Sequence, residues 1–210
     1  MKRDGRTIGA GLVDNINVGV KWAVDQGADV INMSLGIRHE AGGLPHEEVI
    51  AYAARRGVTV VAASGNDGSD ALYYPGALPE VVAVGAVDRN GEVASFSTWG
   101  DEVDLVAPGV DIYSAAPDGG YAFSTGTSHA SPFVAGAAAL LRAVALARGR
   151  RIRDQHVKHI LKHTADRIDK RFKSPKAGFG RLNLADAVRL LEFRLGSHGS
   201  MAHSYLEEVA

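Results

Sequence analysis

A serine stands at the head of the longest apolar stretch in this chain. The run is Gly126-Thr127-Ser128-His129-Ala130-Ser131-Pro132-Phe133-Val134-Ala135-Gly136, continued by Ala137-Ala138-Ala139-Leu140-Leu141. Small residues deliver Ser128 to the first turn of a helix, next to its unpaired amides and the positive end of its dipole. That setting suits a nucleophile whose reaction passes through an oxyanion. Asn66 closes Ala63-Ser64-Gly65-Asn66 after a second apolar run and offers a side-chain amide. Ser34-Leu35-Gly36 closes a third and offers extended backbone on which a peptide can pair. Nucleophile, oxyanion donors and a peptide-pairing edge are the parts of an acyl-transfer site. Plainer roles are open to each part. Ser128 can cap its helix, Asn66 can serve the Gly-Asn-Asp-Gly turn, and Ser34 to Gly36 can be an ordinary strand end.

The elements that must position these residues follow from the apolar pattern. Residues 14–26 read as a helix with Ile16, Val20, Ala23 and Val24 on one face, stopped by Gly27. Residues 28–35 form a mostly apolar run, the mark of a strand buried on both faces. A loop over 36–44 leads to a helix over 45–56, with Pro45 in its first turn and Gly57 after it. Further strands are expected over 58–63, 81–87, 103–107 and 111–114. Helices are expected over 127–148, 154–164 (with Asp154 as its N-cap) and 184–195. This alternation predicts an α/β fold, a parallel sheet covered by helices.

The bulk numbers agree with a folded domain. The chain has 210 residues, 46% apolar and 22% charged, enough for one sizeable core. A net charge of −1 gives no pull toward nucleic acid or an anionic membrane. With no cysteine there is no disulfide, thiolate metal site or thiol nucleophile. No run reads as a membrane span, and residues 1–7 lack the apolar stretch of a signal peptide. Residues 196–210, GSHGSMAHSYLEEVA, have the composition of a flexible tail.

The ordered motifs resemble the subtilisin-like serine proteases from about Val13 to Val188. Asp25 to Gly36 looks like the strand that lines the family's substrate cleft. Val60-Val61-Ala62-Ala63-Ser64-Gly65-Asn66 looks like its oxyanion segment, and Gly126 to Gly136 like its serine signature. Tyr74-Pro75-Gly76, Val106-Ala107-Pro108-Gly109 and Gly178-Phe179-Gly180-Arg181-Leu182-Asn183 are similar to further family segments. The resemblance implies a three-layer helix/parallel-sheet/helix fold with its N-terminal part missing. Residues 1–195 would be a partial peptidase domain. It implies a serine endopeptidase that forms an acyl-enzyme on Ser128, with Asn66 in the oxyanion hole. Ser34, Leu35, Gly36, Ala63, Ser64, Gly65 and Tyr73 would line the substrate cleft. Tyr73 stands where many members carry glycine, so its ring either reshapes the side-chain pocket or turns to solvent.

The same resemblance exposes what is not here. The family's aspartate lies in Asp-Ser/Thr-Gly and its histidine in His-Gly-Thr-His, and neither motif occurs. His129 follows Ser128 directly, so it points about 100° away around the helix. His39 and His46 carry no motif. His156, His159 and His163 share one helix, with Lys158 and Lys162 crowding it, and read as a solvated polar face rather than a metal site. The chain alone is therefore expected to be nearly inert. Its partners would be a polypeptide substrate and a chain or segment supplying the missing Asp and His. No cofactor is implied, although backbone carbonyls of the stretch matching Gly76 to Val81 hold a calcium or other cation in some members. Most members are secreted. The rival reading is a non-catalytic peptide-binding or assembly module derived from a subtilase. An α/β-hydrolase esterase fits poorly, because Ala130 stands where its Gly-x-Ser-x-Gly elbow needs glycine.

Overall fold

The computed structural model describes residues 2–3, 6–7, 12–39, 42–117 and 119–196. In chain order the elements are β1 (Lys2–Arg3), β2 (Arg6–Thr7), α1 (Val13–Asp25), β3 (Val30–Met33), β4 (Ile37–Arg38), α2 (Glu47–Arg55) and β5 (Thr59–Ala63). There follow β6 (Tyr73–Tyr74), β7 (Val81–Val87), β8 (Val103–Pro108), β9 (Ile112–Ala115), β10 (Tyr121–Ser124), α3 (Thr127–Ala147), α4 (Asp154–His163) and α5 (Leu184–Gly196).

A four-stranded parallel sheet, β3-β5-β7-β8, forms the middle layer. Every residue of β5 and β7 is buried, as their unbroken Val/Ala runs require for strands covered on both faces. Alternation divides them. Val61, Val82 and Val84 pack with α3, α4 and α5, while Val60, Ala62 and Val81 pack with α1 and α2. The architecture is helix, sheet, helix, as the pattern implied.

Helix α3 crosses the sheet as its main cover. Its alanines favour helix intrinsically and let its axis lie close to the strands. Ala130, Val134, Ala138 and Leu141 are fully buried there. It ends on Gly149, left-handed at φ 70°, with Arg150 N donating to Ala145 O at 2.9 Å. At 21 residues α3 is long and apolar enough to cross a membrane, contrary to the sequence reading. A buried stripe of the helix faces the sheet, while Phe133, Leu140 and Leu146 on its other side are exposed.

Three local expectations need correction. β3 is not buried on both faces: Asn32 is exposed and Val30 and Ile31 are half-buried, because no strand among the described residues pairs with its outer edge. The supposed loop after it contains β4, which pairs antiparallel with β6. The short strand expected over 111–114 is β9, which forms a hairpin with β10. Asp154 is the first helical residue of α4 rather than its cap. It is buried and paired with Lys158 at 2.8 Å. The tail assigned to 196–210 lies outside the described residues beyond Gly196.

Of the three histidines expected on a solvated face, His159 and His163 are exposed and His156 is half-buried; His46 is buried. His46 caps α2 in a left-handed conformation, φ 68°. Its Nδ1 donates to Asn17 Oδ1 at 2.6 Å, and its Nε2 is buried without a partner. His159 and His163 stack with ring centroids 3.9 Å apart, and Arg194 Nη2 of α5 donates to His159 Nε2 at 3.0 Å. Burial holds His46 below its ordinary 6.5. Burial first, then Arg153 and Arg194, lowers His156. Burial, then His163, Arg194 and His156, lowers His159. Each stays neutral in the fold at a pH where the unfolded chain already binds a proton. The fold loses nothing at about pH 8 and weakens as the pH drops below about 6.5. Thermal unfolding should therefore give a lower midpoint at about pH 5.5 than at pH 8. His46→Asn, which tolerates the left-handed backbone, should reduce that drop.

Candidate active site

The site begins with a missing hydrogen bond. Pro132 lies inside α3, four residues after Ser128. Proline has no N–H, so the Ser128 carbonyl loses its helical donor. Ser34, just past the end of β3, replaces it: its Oγ donates to Ser128 O at 2.7 Å. The return bond runs from Ser128 Oγ to Ser34 O at 3.2 Å. Having spent its proton, Ser34 Oγ accepts from Asn32 Nδ2 at 2.8 Å and from the buried Ser131 Oγ at 3.0 Å. Ser128 is thus clamped to the sheet edge by its own main chain. It does not cap its helix; the N-cap is Gly126, which contributes no side-chain bond.

A second clamp fixes Asn66. Thr127, fully buried, donates from its N to Asn66 Oδ1 at 2.8 Å, and its Oγ1 lies 3.0 Å from the same oxygen. That engagement assigns the amide orientation and leaves both Nδ2 hydrogens to the other side. Thr127 Oγ1 also lies 3.3 Å from Gly65 N and Gly65 O, tying the end of β5 to the start of α3. Ser128 is the second residue of α3, so its own N–H has no intrahelical acceptor.

Ser128 and Asn66 open onto one cavity of 240 Å³, bounded by Leu35 and Gly36 on one wall, Ala63 and Gly65 on the other, and Asp67, Tyr73 and Thr127. Gly65 is left-handed, φ 115°, and a Cβ there would stand 2.6 Å from Tyr73 Cδ2 and 2.7 Å from Thr98 Oγ1. Only glycine fits both demands. The Tyr73 ring turns into the cleft. Its hydroxyl donates to Asp67 Oδ2 at 2.7 Å, and Arg38 Nη1 lies 3.6 Å from the same oxygen. Burial, then Asp67, pushes the Tyr73 phenol up, so it stays neutral and donating. Ser64 is on no wall of this cavity: it is buried, and its Oγ donates to Thr98 O at 3.1 Å.

Sequence reasoning passed over Thr127, Ser131, Asp67 and Arg38. Thr127 and Ser131 stood inside the quoted motif, and Pro132 was the signal that a carbonyl near Ser128 needed an outside donor. Arg38 reaches the site only through the β4–β6 pairing, in which it stands opposite Tyr73.

Among the described residues no group of three His, Asp or Glu side chains is placed to hold a metal. In the stretch Gly76 to Val81, the Glu80 carbonyl accepts from the Lys158 ammonium.

The clamp at Ser34 carries a prediction. Ser34→Ala strands the Ser128 carbonyl and the Asn32 and Ser131 side chains, and should cost about 1–3 kcal/mol in denaturant unfolding. Pro132→Ala restores an N–H to the same carbonyl and should recover part of that loss. A double-mutant cycle should show the coupling, and strictly additive effects would contradict the clamp.

The profile of the subtilase family (Peptidase S8) matches residues 8–185. The chain is 42% identical over 180 residues to a thermophilic serine proteinase of Bacillus sp. (strain AK1), covering 86% of this chain and 42% of that protein. It is 46% identical over 134 residues to subtilisin Savinase of Lederbergia lenta, covering 64% of this chain and 49% of that one. The chain thus spans less than half the length of these curated relatives. Among solved structures, the prenylagaramide maturation protease PagA superposes with a TM-score of 0.81 at 35% identity. That match covers 89% of this chain and 70% of PagA. The patellamide maturation protease PatA gives 0.79 at 37% identity, covering 87% and 70%.

Proposed function

The chain belongs to the subtilase family, and from that premise we propose that it forms the nucleophile side of a serine endopeptidase site. One observation carries this reading. Thr127 occupies Asn66 Oδ1, so Nδ2 remains as a donor at the cavity that Ser128 also lines. Ser128 Oγ attacks the scissile carbonyl, and its proton passes to a base. The oxyanion is held by Asn66 Nδ2 and the free Ser128 N–H. Collapse of that intermediate expels the amine with the proton and leaves an acyl-enzyme, which water then hydrolyses. Substrate backbone pairs along Ser34 to Gly36 as an added strand and faces Ala63 to Gly65 across the cleft.

Among the described residues, no base is bonded to Ser128 Oγ. Ser128 Oγ donates to a carbonyl, which takes no proton. We place the missing Asp and His on a segment or chain that seats against the open edge of β3. There an apolar groove of 440 Å³ runs between α1 and the strand, lined by Ile16, Val20, Ala23, Ile31, Met33 and Leu35. It ends at Ser34, beside Ser128. The chemistry calls for no cofactor. Action outside the cell goes with the family reading.

Retention of both Ser128 and the oriented Asn66 favours an enzyme over a peptide-binding module. The full-length protein should be labelled on Ser128 by a fluorophosphonate, and Ser128→Ala should abolish labelling. Asn66→Ala should lower kcat roughly 100- to 1,000-fold, the loss known for a subtilisin deprived of its oxyanion-hole asparagine. Tight peptide binding with neither labelling nor cleavage would instead identify a binding module.

A further inference from the structure

The net charge of −1 conceals a division. Residues 148–194 hold 14 of the chain's 23 Lys and Arg but only 5 of its 24 Asp and Glu. Folding gathers this excess on one side. α4 and α5 pack together, and a run of contacts crosses them into the loop beyond. Arg194 Nη2 donates to His159 Nε2 at 3.0 Å, His159 stacks on His163, and the His163 ring meets Phe172 edge-on at 6.3 Å. The Arg167 guanidinium lies over the Phe172 ring at 5.4 Å. Five of the 14 cations pair with carboxylates. Arg150, Arg151, Arg167, Lys170, Arg171 and Arg194 form no ion pair among the described residues. Apolar tips stand among them. Residues 167–173 are all exposed, with Phe172 at 59% and Ile168 at 40%, and Phe193 beside Arg194 is 72% exposed.

We propose that the α4–α5 face and the loop over 167–173 dock the protein on an anionic lipid surface. The cations supply the attraction, and Phe172 and Ile168 enter the headgroup layer. A nucleic-acid strand or an acidic peptide would call for a groove to follow. The cleft, the groove along β3 and the small cavity behind Tyr73 are all lined by residues outside 148–194. The acidic remainder of the chain is repelled by the same surface, so the charge division also sets the orientation. That orientation leaves the cleft clear. Lys158 donates to the Glu80 carbonyl just ahead of β7, and Lys173 to the Asp101 carbonyl just ahead of β8. Ser34 and Gly65, which hold the Ser128 turn, follow the opposite ends of β3 and β5. The length of α3, about 30 Å, separates Ser128 from Arg150 and Arg151. The seating does not depend on the reaction at Ser128.

The test sediments the full-length protein with vesicles of phosphatidylcholine, alone or mixed equally with phosphatidylglycerol. Binding should require phosphatidylglycerol. It should fall at least about 10-fold as salt rises from about 0.05 M to about 0.5 M and shortens the screening length. Lys170→Gln together with Arg171→Gln should weaken it about 10- to 30-fold, because each cation near such a surface strengthens binding about 5-fold. Arg150→Gln together with Arg151→Gln, past the end of α3, should weaken it in the same direction. All four side chains are exposed, so circular dichroism should not change. Phe172→Trp keeps an aromatic ring at the loop, and its added fluorescence should shift to the blue with the anionic vesicles alone. Equal binding to both vesicle types, or an affinity that neither pair of substitutions moves, overturns the proposal. So does tighter binding to a single-stranded oligonucleotide or to polyglutamate at equal charge concentration, which would assign the face to that polyanion instead.

Discussion

The site depends on a carbonyl deprived of its helical partner. In an unbroken helix the Ser128 oxygen would be spent on the N–H four residues on. Pro132 removes that donor, and the oxygen becomes an external anchor taken by Ser34. The consequence is geometric. Two bonds in opposite directions, Ser34 Oγ to Ser128 O and Ser128 Oγ to Ser34 O, fix the first turn of α3 against the tip of β3. The turn that carries Ser128 is thereby placed by the hydrogen-bonded parallel sheet. In the proposed role, a nucleophile that must reach a carbonyl to within a fraction of an ångström would need that kind of support.

Thr127 does for the other wall what Ser34 does for the first. Its main-chain N–H holds Asn66 Oδ1, and its hydroxyl bridges to Gly65. Past their last paired residues, Met33 and Ala62, the chains leaving β3 and β5 are joined through consecutive residues of one helix turn. The gap left between them is the cleft. Gly36 and Gly65 keep it clear of Cβ atoms, and Tyr73 fills part of it from below. The width of the cleft is set by the α3 turn, and its depth by the β4–β6 pairing.

How much of this was legible in the sequence follows from the range of each interaction. β5 and β7 announced themselves because strands buried on both faces must be apolar throughout. α3 did so because its composition leaves no other choice. Ser128, Asn66 and the glycines came from ordered motifs, and all reached one cavity. β4, β6 and β10 were missed because such short strands are defined by their partners and carry no period of their own. β3 was misjudged for the opposite reason. Its apolar run is real, but burial belongs to the neighbours, and its outer edge has none among the described residues. Arg38 and Asp67 are 29 positions apart, and nothing in either sequence neighbourhood names the other.

The arrangement also separates two tasks that catalysis by serine usually shows together. Stabilising negative charge requires only fixed dipoles. The chain provides them: an oriented amide on Asn66, a free N–H on Ser128, and the positive end of a 21-residue helix. Creating the nucleophile requires a proton acceptor, and here the Ser128 proton rests on the Ser34 carbonyl. That bond keeps the hydroxyl ordered and inert at once. A base approaching from the open side of β3 would have to win the proton from a neutral carbonyl, a weak competitor at 3.2 Å. On the proposed reading, the clamp that positions Ser128 would therefore cost little at the moment of activation. The bond given up is the Oγ donor alone, while the Ser34-to-Ser128 carbonyl bond that locates the turn stays intact.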